Sequence, residues 1–131
     1  MSDVVTLGEC MAVLYPPDPV PLDEARTLLI DIGGAEANLA IALCRLGHSA
    51  RFISRVGDDP FGRRVRAVLS TEGVDTSALL IDPEAPTGVF FREWLVDGRD
   101  VSTIIAATQP LVESRRTISR QHSSMARALF T

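Results

Sequence analysis

Hydrophobic positions along the chain change their spacing several times, and each spacing predicts a different kind of element. A helical stripe predicts a helix over residues 36–46, with a buried face made of Leu39, Ala42, Leu43 and Leu46. A second helix is predicted from Pro60 through Leu69 to Gly73. Short β-branched and aliphatic runs predict strands at 4–7, 11–15, 27–32, 51–56 and 87–95, and residues 74–82 are expected to form a loop and a short strand.

Local signals at the ends of these segments support the assignment. Gly47 stands where a glycine commonly ends a helix. Asp59 followed by Pro60 is typical of a helix N-cap and the first helical residue. Asp97-Gly98 predicts a turn that folds the preceding strand back on a partner. The order strand, helix, strand, helix, strand indicates an α/β fold with a parallel sheet, plus an extra hairpin that begins near residue 87.

Composition limits the class of protein without identifying it. The 131 residues suffice for one small domain, and a net charge of −4 without a basic run argues against binding to nucleic acid or a membrane surface. No apolar stretch approaches the roughly 20 residues of a membrane span, and no signal-peptide pattern is visible, so we expect a cytoplasmic protein. Cys10 and Cys44 lack metal or redox spacing and are expected to be buried thiols.

The segment from Asp31 to Asn38 carries the most informative chemistry of the chain, because a predicted strand runs through two glycines into a helix. Gly33 and Gly34 have no Cβ and allow the backbone to approach a ligand closely, and the helix that follows offers unpaired N–H groups. The Asn38 amide can both donate to and accept from a vicinal diol. From the spacing alone, a plain tight turn with a capping asparagine is the favoured alternative.

Glycines at defined distances further along the chain extend this motif. The asparagine is followed by Gly47 and then by Gly57, which opens the string GDDPFG. The combined pattern resembles the N-terminal motifs of the PfkB (ribokinase-like) carbohydrate kinases over residues 3 to about 102. The strings GGAEANLAIALCRLG, RVGDDPFGRRV and TGVFFREWL are most similar to the 2-keto-3-deoxygluconate kinase branch, whereas the ribokinase branch usually has a small residue in place of Glu36.

The resemblance has consequences for fold, activity and site. It implies part of a Rossmann-like parallel sheet with helices, the remnant of a small β-lid, and ATP-dependent phosphorylation of a sugar or sugar acid. In the family the diglycine backbone and the helix asparagine hold the sugar, and a lid strand contributes an aromatic side chain. For this chain the resemblance implies Gly33, Gly34, Asn38 and Phe90 as substrate-binding residues. Ala35 is added as their neighbour, and Arg92 is added from its position on the lid strand.

The two lid residues of this set, Phe90 and Arg92, lie on one predicted strand. Phe90 stands where the branch often has a tyrosine, so the hydroxyl of that side chain is missing here. Arg92 follows two residues later and therefore lies on the same face of the strand. It either approaches a substrate carboxylate or is a solvated arginine of the lid, and the second interpretation is favoured.

No catalytic or metal-binding residue is expected in this chain. Asp58 and Asp59 correspond to a turn and a helix cap in the family motif. The family takes its catalytic aspartate and its anion-stabilising helix N-terminus from a C-terminal GAGD-type motif, and neither that motif nor a Walker loop is present here. ATP and Mg²⁺ are therefore cofactors expected of the full-length family enzyme, and this chain, an N-terminal fragment, is expected to bind neither well.

The chain divides in composition at about residue 102. Residues 1–102 hold 16 acids, 9 arginines and all nine glycines, whereas residues 103–131 hold one acid, four arginines and no glycine. The resembling branch continues with Tyr-Tyr-Arg, and loss of one T from ACT-TAT-TAT-CGC gives the Thr-Ile-Ile-Ala that begins at Thr103. We therefore expect 1–102 to belong to the kinase domain and 103–131 to be a frameshifted, poorly ordered tail, with a divergent natural tail as the alternative.

The sequence thus predicts a truncated sugar-acid kinase, inactive as it stands, whose substrate is a compound such as 2-keto-3-deoxygluconate. One alternative is a PfkB kinase for another sugar, such as a fructokinase or ribokinase. Another is a sugar-binding or dimerising fragment without catalysis. The resemblance allows a homo-oligomer for the full-length enzyme, although the lid of this chain is expected to have lost its return strand. A third alternative is a nonfunctional fragment that aggregates through an uncovered apolar sheet.

Overall fold

Strands and helices follow one another in the predicted order in a computed structural model, which describes residues 1–95, 97–98 and 100–104. The predicted α/β class is confirmed, and the predicted boundaries shift by only a few residues. The tail expected from residue 103 lies outside these ranges apart from its first two residues. The elements are β1 Val4–Leu7, β2 Met11–Tyr15, β3 Leu29–Gly33, α1 Ala35–Arg45, β4 Ala50–Gly57, α2 Pro60–Thr71, β5 Leu79–Asp82, β6 Val89–Trp94 and β7 Asp100–Ile104.

The strands form two separate sheets. The first is parallel, in the order β1-β4-β5. Both of its crossovers step in the same direction, and because such connections are right-handed, α1 and α2 lie on the same face. The second sheet, which we call the lid, has the order β3-β2-β6-β7. In the lid β2 runs antiparallel to β3 and parallel to β6, so the chain enters the lid after β1, leaves it before α1 and returns to it at β6.

The hydrophobic core lies between the parallel sheet and the two helices. Phe52 and Val56 lie on the same face of β4 and are fully buried. Val65 and Leu69 lie one helical turn apart on α2 and are also fully buried. Burial of four such side chains stabilises the fold by about 1.5–3 kcal/mol each. The core therefore fixes α2 against the central strand of the sheet.

The predicted buried face of α1 is wrong in most of its members. Ala37 and Ala40 are the buried residues of this helix, whereas Leu39 and Leu46 are 52% and 75% exposed. Leu43 does pack against the core, together with Ile41 and Cys44, and Ala42 is exposed. Nearly every position of α1 is apolar, so periodicity alone did not define a face. Small alanines turned towards the sheet allow the helix to approach it closely.

Helix ends follow the predicted local signals. Asp59 is the N-cap of α2 and accepts a hydrogen bond from the Gly62 N–H at 2.8 Å, with Pro60 as the first helical residue. Gly47 follows α1 with φ +90°, and the His48 N–H donates to the Leu43 carbonyl in the pattern of a Schellman motif. Neither described helix is long and apolar enough to cross a membrane.

The lid retains its return strand, which the sequence analysis expected to be lost. The predicted turn is present, with the Gly98 N–H donating to the Leu95 carbonyl at 2.8 Å. Beyond it β7 pairs antiparallel with β6, with Phe90 opposite Ile104 and Trp94 opposite Asp100. Strand pairing is made by backbone groups, so a change of sequence after residue 102 does not prevent it.

The face of the parallel sheet opposite the helices carries exposed apolar side chains, with Arg51 and Arg55 among them, in the described part of the chain. Val5 and Leu7 on β1 are 55% and 60% exposed, and Leu80 on β5 is 53% exposed. Ile53 on β4 lies between these strands and is also exposed. Parallel sheets are normally covered on both faces, so this surface favours association.

A charge on this face is expected to reduce self-association of the 131-residue chain. Leu7→Glu places a carboxylate opposite the exposed Ile53, which opposes burial of the face against another molecule. Light scattering after size-exclusion chromatography should show a smaller mean mass than for the unchanged chain. The control is Leu39→Glu, at an exposed position of α1, which should leave the mass unchanged; equal effects of both variants would contradict the prediction.

Candidate functional site

The chain enters the lid after β1 and leaves it before α1, and these two connecting segments are in contact. Gly34 is the N-cap of α1 and has φ +156°, and a Cβ at this position would collide with the Glu9 carbonyl oxygen. Conversely, a Cβ at Gly8 would lie 2.5 Å from the carboxyl carbon of Glu36. The start of α1 is therefore held against the end of β1, at the carboxyl edge of the parallel strands where α/β proteins bind ligands.

The structure brings two predicted site residues, Gly33 and Phe90, into contact. A Cβ at the buried Gly33 would lie 2.6 Å from Cζ of Phe90 and 3.9 Å from Cβ of Val13. Val13 is the strand partner of Phe90, so the ring crosses β2 to reach β3. Glycine at position 33 thus has a packing role, to admit the lid aromatic, which the spacing argument did not include.

The first turn of α1 presents Ala35 and Asn38 at the surface. Both residues are exposed, and no side chain caps the helix at Gly34, so its first N–H groups have no side-chain partner there. The Asn38 N–H donates to the Gly34 carbonyl at 2.9 Å as the first helical hydrogen bond. The backbone of Asn38 is consequently fixed one turn beyond the glycines.

Asn38 also lines a groove of about 590 Å³ between α1 and α2. Asp31 flanks it at the same end, and an ion pair between Arg45 and Glu72 spans the two helices at the other. The hydrogen bond from Arg45 holds the pKa of Glu72 below its usual value. Of the six residues predicted for the sugar site, Asn38 alone lines this groove in the described part of the chain.

Arg92 lies on the lid, two residues after Phe90 on β6, and its side chain is exposed. Its backbone partner in β7 is Ser102. The structure thus joins Gly33, Gly34 and Phe90 at one turn and holds Asn38 beside it, while Arg92 is placed further along the lid strand.

Sequence reasoning gave no role in the site to Glu36, although the structure brings it there. Its carboxyl group lies over Gly8, at the point where β1 leads into the lid. An acidic residue in the first turn of a helix is stabilised by the partial positive charge of that end, and this preference was the available signal.

Asp58 and Asp59 have the structural roles expected of them. Asp58 is exposed and lies 3.8 Å from Nη1 of Arg63. Burial alone would raise the pKa of Asp59, but hydrogen bonds from Thr87 and Gly62 lower it below its usual value. The described residues contain no group of three or more histidine, cysteine, aspartate or glutamate side chains placed to hold a metal ion.

The two described helix N-termini do not suit the triphosphate of ATP. Helix N-termini are the usual anion sites of α/β proteins, because their N–H groups and dipole favour negative charge. The N-terminus of α2 is already occupied by the Asp59 carboxylate, and the first turn of α1 contains Glu36. A phosphate at either place would meet a like charge, so we assign no step of phosphoryl transfer to these residues.

Cys10 lies beneath this site. Its Cα would be 3.4 Å from a Cβ at Gly34, and its side chain is fully buried, as predicted. Burial raises the pKa of the Cys10 thiol to about 12, with a smaller contribution from the charge of Asp31. Cys44 is only half-buried, so the predicted burial is confirmed fully for the first cysteine and partly for the second.

A parallel sheet flanked by helices, joined through a diglycine turn to a small β-lid, defines the ribokinase-like class of sugar kinases. Comparison with known families makes this assignment specific: residues 1–120 match the model of the pfkB family carbohydrate kinases. The chain belongs to this family.

Individual relatives show which part of the family fold is present. The chain is 41% identical over 101 residues to a 2-dehydro-3-deoxygluconokinase of Thermoproteus tenax, covering 76% of this chain and 31% of that protein. It is 42% identical over 96 residues to Fructokinase-1 of Zea mays, covering 72% and 30%. An uncharacterized sugar kinase from Pyrococcus horikoshii, in complex with ATP, superposes with a TM-score of 0.70 at 31% identity, covering 79% and 35%. The chain thus spans about a third of the length of these relatives.

Gly33→Ala is expected to destabilise the fold by about 1–3 kcal/mol, because the added Cβ overlaps the Phe90 ring. Chemical denaturation monitored by circular dichroism measures this change. Phe90→Leu removes the ring atoms that clash, so Gly33→Ala should cost less in that background. Equal costs of Gly33→Ala in both backgrounds would show that the contact is not the cause.

The two thiols are expected to react at very different rates with a thiol reagent at pH 8. A pKa of about 12 leaves Cys10 with about a thousandth of the thiolate of a thiol at the ordinary value of 9.0, and the side chain is also shielded. Mass spectrometry of the folded chain should find the label on Cys44 before Cys10. Labelling in denaturant, where both react, is the control; fast labelling of Cys10 in the folded chain would contradict the structure.

Proposed function

We propose that this chain forms the sugar-binding part of a carbohydrate kinase whose substrate is a sugar acid such as 2-keto-3-deoxygluconate. The observation that supports it best is the contact between the lid residue Phe90 and Gly33, at the turn that opens α1. That contact joins an aromatic surface to a helix start rich in hydrogen-bonding groups. Such a pairing suits a molecule with both C–H faces and hydroxyl groups.

In this proposal each group of the site has a task that its chemistry supports. The N–H groups of the first turn of α1 and the Asn38 amide donate to sugar oxygens, and the amide oxygen accepts from a hydroxyl. The Glu36 carboxylate accepts from a second hydroxyl. The Phe90 ring covers a C–H face of the sugar, since it has no hydroxyl of its own to offer.

The site is better suited to neutral hydroxyl groups than to a second anion near α1, because Glu36 carries a negative charge there. In the proposal the carboxylate of a sugar acid therefore lies towards the lid, within reach of Arg92. The guanidinium can bind a carboxylate with two parallel hydrogen bonds. Fructose is the second candidate substrate, supported by the 42% identity to the fructokinase of Zea mays.

ATP and Mg²⁺ are the proposed cofactors of the whole enzyme, in which they would supply the phosphoryl group and neutralise its charge. The acids at both helix N-termini are the reason that we place neither cofactor on the described residues. We further propose that the chain alone does not phosphorylate sugars and that a homo-oligomer, if formed, is a property of the whole enzyme.

A further part of the proposal is a kinase domain over 1–102 and an out-of-frame tail that begins near Ile104. The family match extends to residue 120 and therefore does not itself mark this boundary. The shortage of acids and glycines after residue 102 supports it. The coding nucleotides decide the matter: in the neighbouring frame they should encode Tyr-Tyr-Arg after Thr103. Codons that cannot encode this peptide in that frame would exclude a frameshift.

Sugar binding at α1 is expected to shift the side-chain amide signals of Asn38 in NMR spectra. Asn38 is the only asparagine of the chain, so its amide pair is readily distinguished from those of the two glutamines. 2-Keto-3-deoxygluconate, fructose and ribose are titrated in turn, and the ligand that shifts the pair at the lowest concentration identifies the substrate class.

Asn38→Ala should weaken that binding by about tenfold, because it removes two hydrogen bonds to the ligand. The matched control is Leu39→Ala at the next, exposed position of α1, which should bind as the unchanged chain does. Absence of any shift with all three sugars would overturn the proposed function. Binding to Asn38→Ala is followed by the shifts of backbone amide signals. If the affinity is unchanged, Asn38 is not part of the site.

A further inference from the structure

A hydrogen-bonded cluster outside the proposed sugar site links the lid to the core. Thr87, the residue two positions before β6, is 1% exposed. Its N–H donates to Oδ2 of Asp59 at 2.7 Å, and its hydroxyl donates to Oδ1 of Asp59 at 2.8 Å. The same hydroxyl accepts from the Gly57 N–H at 2.9 Å. Asp59 meanwhile caps α2 through the Gly62 N–H.

The surrounding backbone is packed as closely as glycine allows. A Cβ at Gly57 would meet the Asp59 carboxylate and would lie 2.6 Å from the Ala85 carbonyl oxygen. A Cβ at Gly62 would collide with the Gly57 carbonyl and lie 3.0 Å from the Thr87 hydroxyl. Three segments therefore converge here: the end of β4, the first turn of α2 and the chain entering the lid.

Capping of α2 requires only one of these hydrogen bonds. An N-cap aspartate satisfies its task by accepting from one or two N–H groups of its own helix. The two bonds to Thr87 span 28 positions of sequence and hold a different element. They account for a buried threonine and for a carboxylate whose two oxygens are both engaged.

We propose that Asp59 and Thr87 are positioning residues, which fix where β6 leaves the core and thereby where Phe90 lies over Gly33. Phe90 follows Thr87 by three residues, and the Gly88 carbonyl in between accepts from the Ala12 N–H at 2.9 Å as the pairing of β2 with β6 begins. A displacement at Thr87 is thus transmitted to the lid aromatic along a short, extended segment. We call the hydrogen-bonded cluster of Thr87, Asp59 and Gly57 the joint. The proposal that it positions β6 rests on geometry alone, and its effect on sugar binding rests on the proposed function.

Thr87→Val tests the joint separately from the helix cap. Valine keeps the shape of the side chain but removes the hydroxyl, while the Asp59–Gly62 cap remains. Hydrogen exchange followed by mass spectrometry should become about tenfold faster in β6 and stay unchanged in α2, since two buried hydrogen bonds of the lid attachment are lost. Trp94, the only tryptophan and 42% exposed on β6, should show lower fluorescence anisotropy.

Two further variants complete the test. Thr87→Ser restores the hydroxyl and should restore both readouts, whereas Asp58→Asn, at the exposed neighbour of Asp59, should change neither. Exchange that accelerates equally in α2 and β6, or in neither, would overturn the proposal. Should Thr87→Val fail to fold, Asp59→Asn takes its place: the asparagine still caps α2 but cannot accept from both Thr87 groups, and the same selective change in β6 is expected.

A sugar titration distinguishes this inference from the proposed function. If the unchanged chain binds a sugar, Thr87→Val should weaken that binding about tenfold without altering the exchange of α2. If the unchanged chain binds none, the proposed function fails, while selective exchange in β6 still supports the joint. If sugar binds but Thr87→Val binds it equally well, the joint does not position the site.

Discussion

Close passage of two backbone segments is the constraint on which the described structure depends. The chain that leaves β1 and the chain that enters α1 pass with Gly34 against the Glu9 carbonyl and Gly8 against the Glu36 carboxyl. A side chain at Gly34 would meet the Glu9 backbone and force these two segments apart, whereas one at Gly8 would displace the Glu36 side chain. The lid is connected to the rest of the fold at this crossing and again at Thr87, which is hydrogen-bonded to Asp59.

The sequence predicted those features that are set by local chemistry. The Asp59 cap, the glycine after α1 and the turn at Gly98 each depend on a few neighbouring residues and are present. The buried face of α1 was wrong because Leu39 and Ala40 look equally suitable to a periodicity argument. Only contact with the sheet decides that alanine faces inwards.

Long-range features were beyond local reasoning. Nothing in the run at β2 distinguishes a strand of the parallel sheet from a strand of the lid, because pairing partners lie far along the chain. The return strand β7 was expected to be lost, yet backbone pairing persists across residue 102. The family motif did single out Gly33 and Phe90, but their contact, and the roles of Glu36 and Thr87, required the coordinates.

Charge distinguishes the two described helix N-termini. Asp59 closes the N-terminus of α2 with an internal carboxylate and uses it to hold the lid, so this end attaches an element instead of binding a ligand. The N-terminus of α1 lacks a side-chain cap, and Glu36 beside it favours partners that donate hydrogen bonds over those that carry negative charge. In the proposed function, hydroxyl recognition is therefore the task of the α1 N-terminus, whereas stabilising a transferring phosphoryl group requires positive or neutral donors that these two ends do not offer.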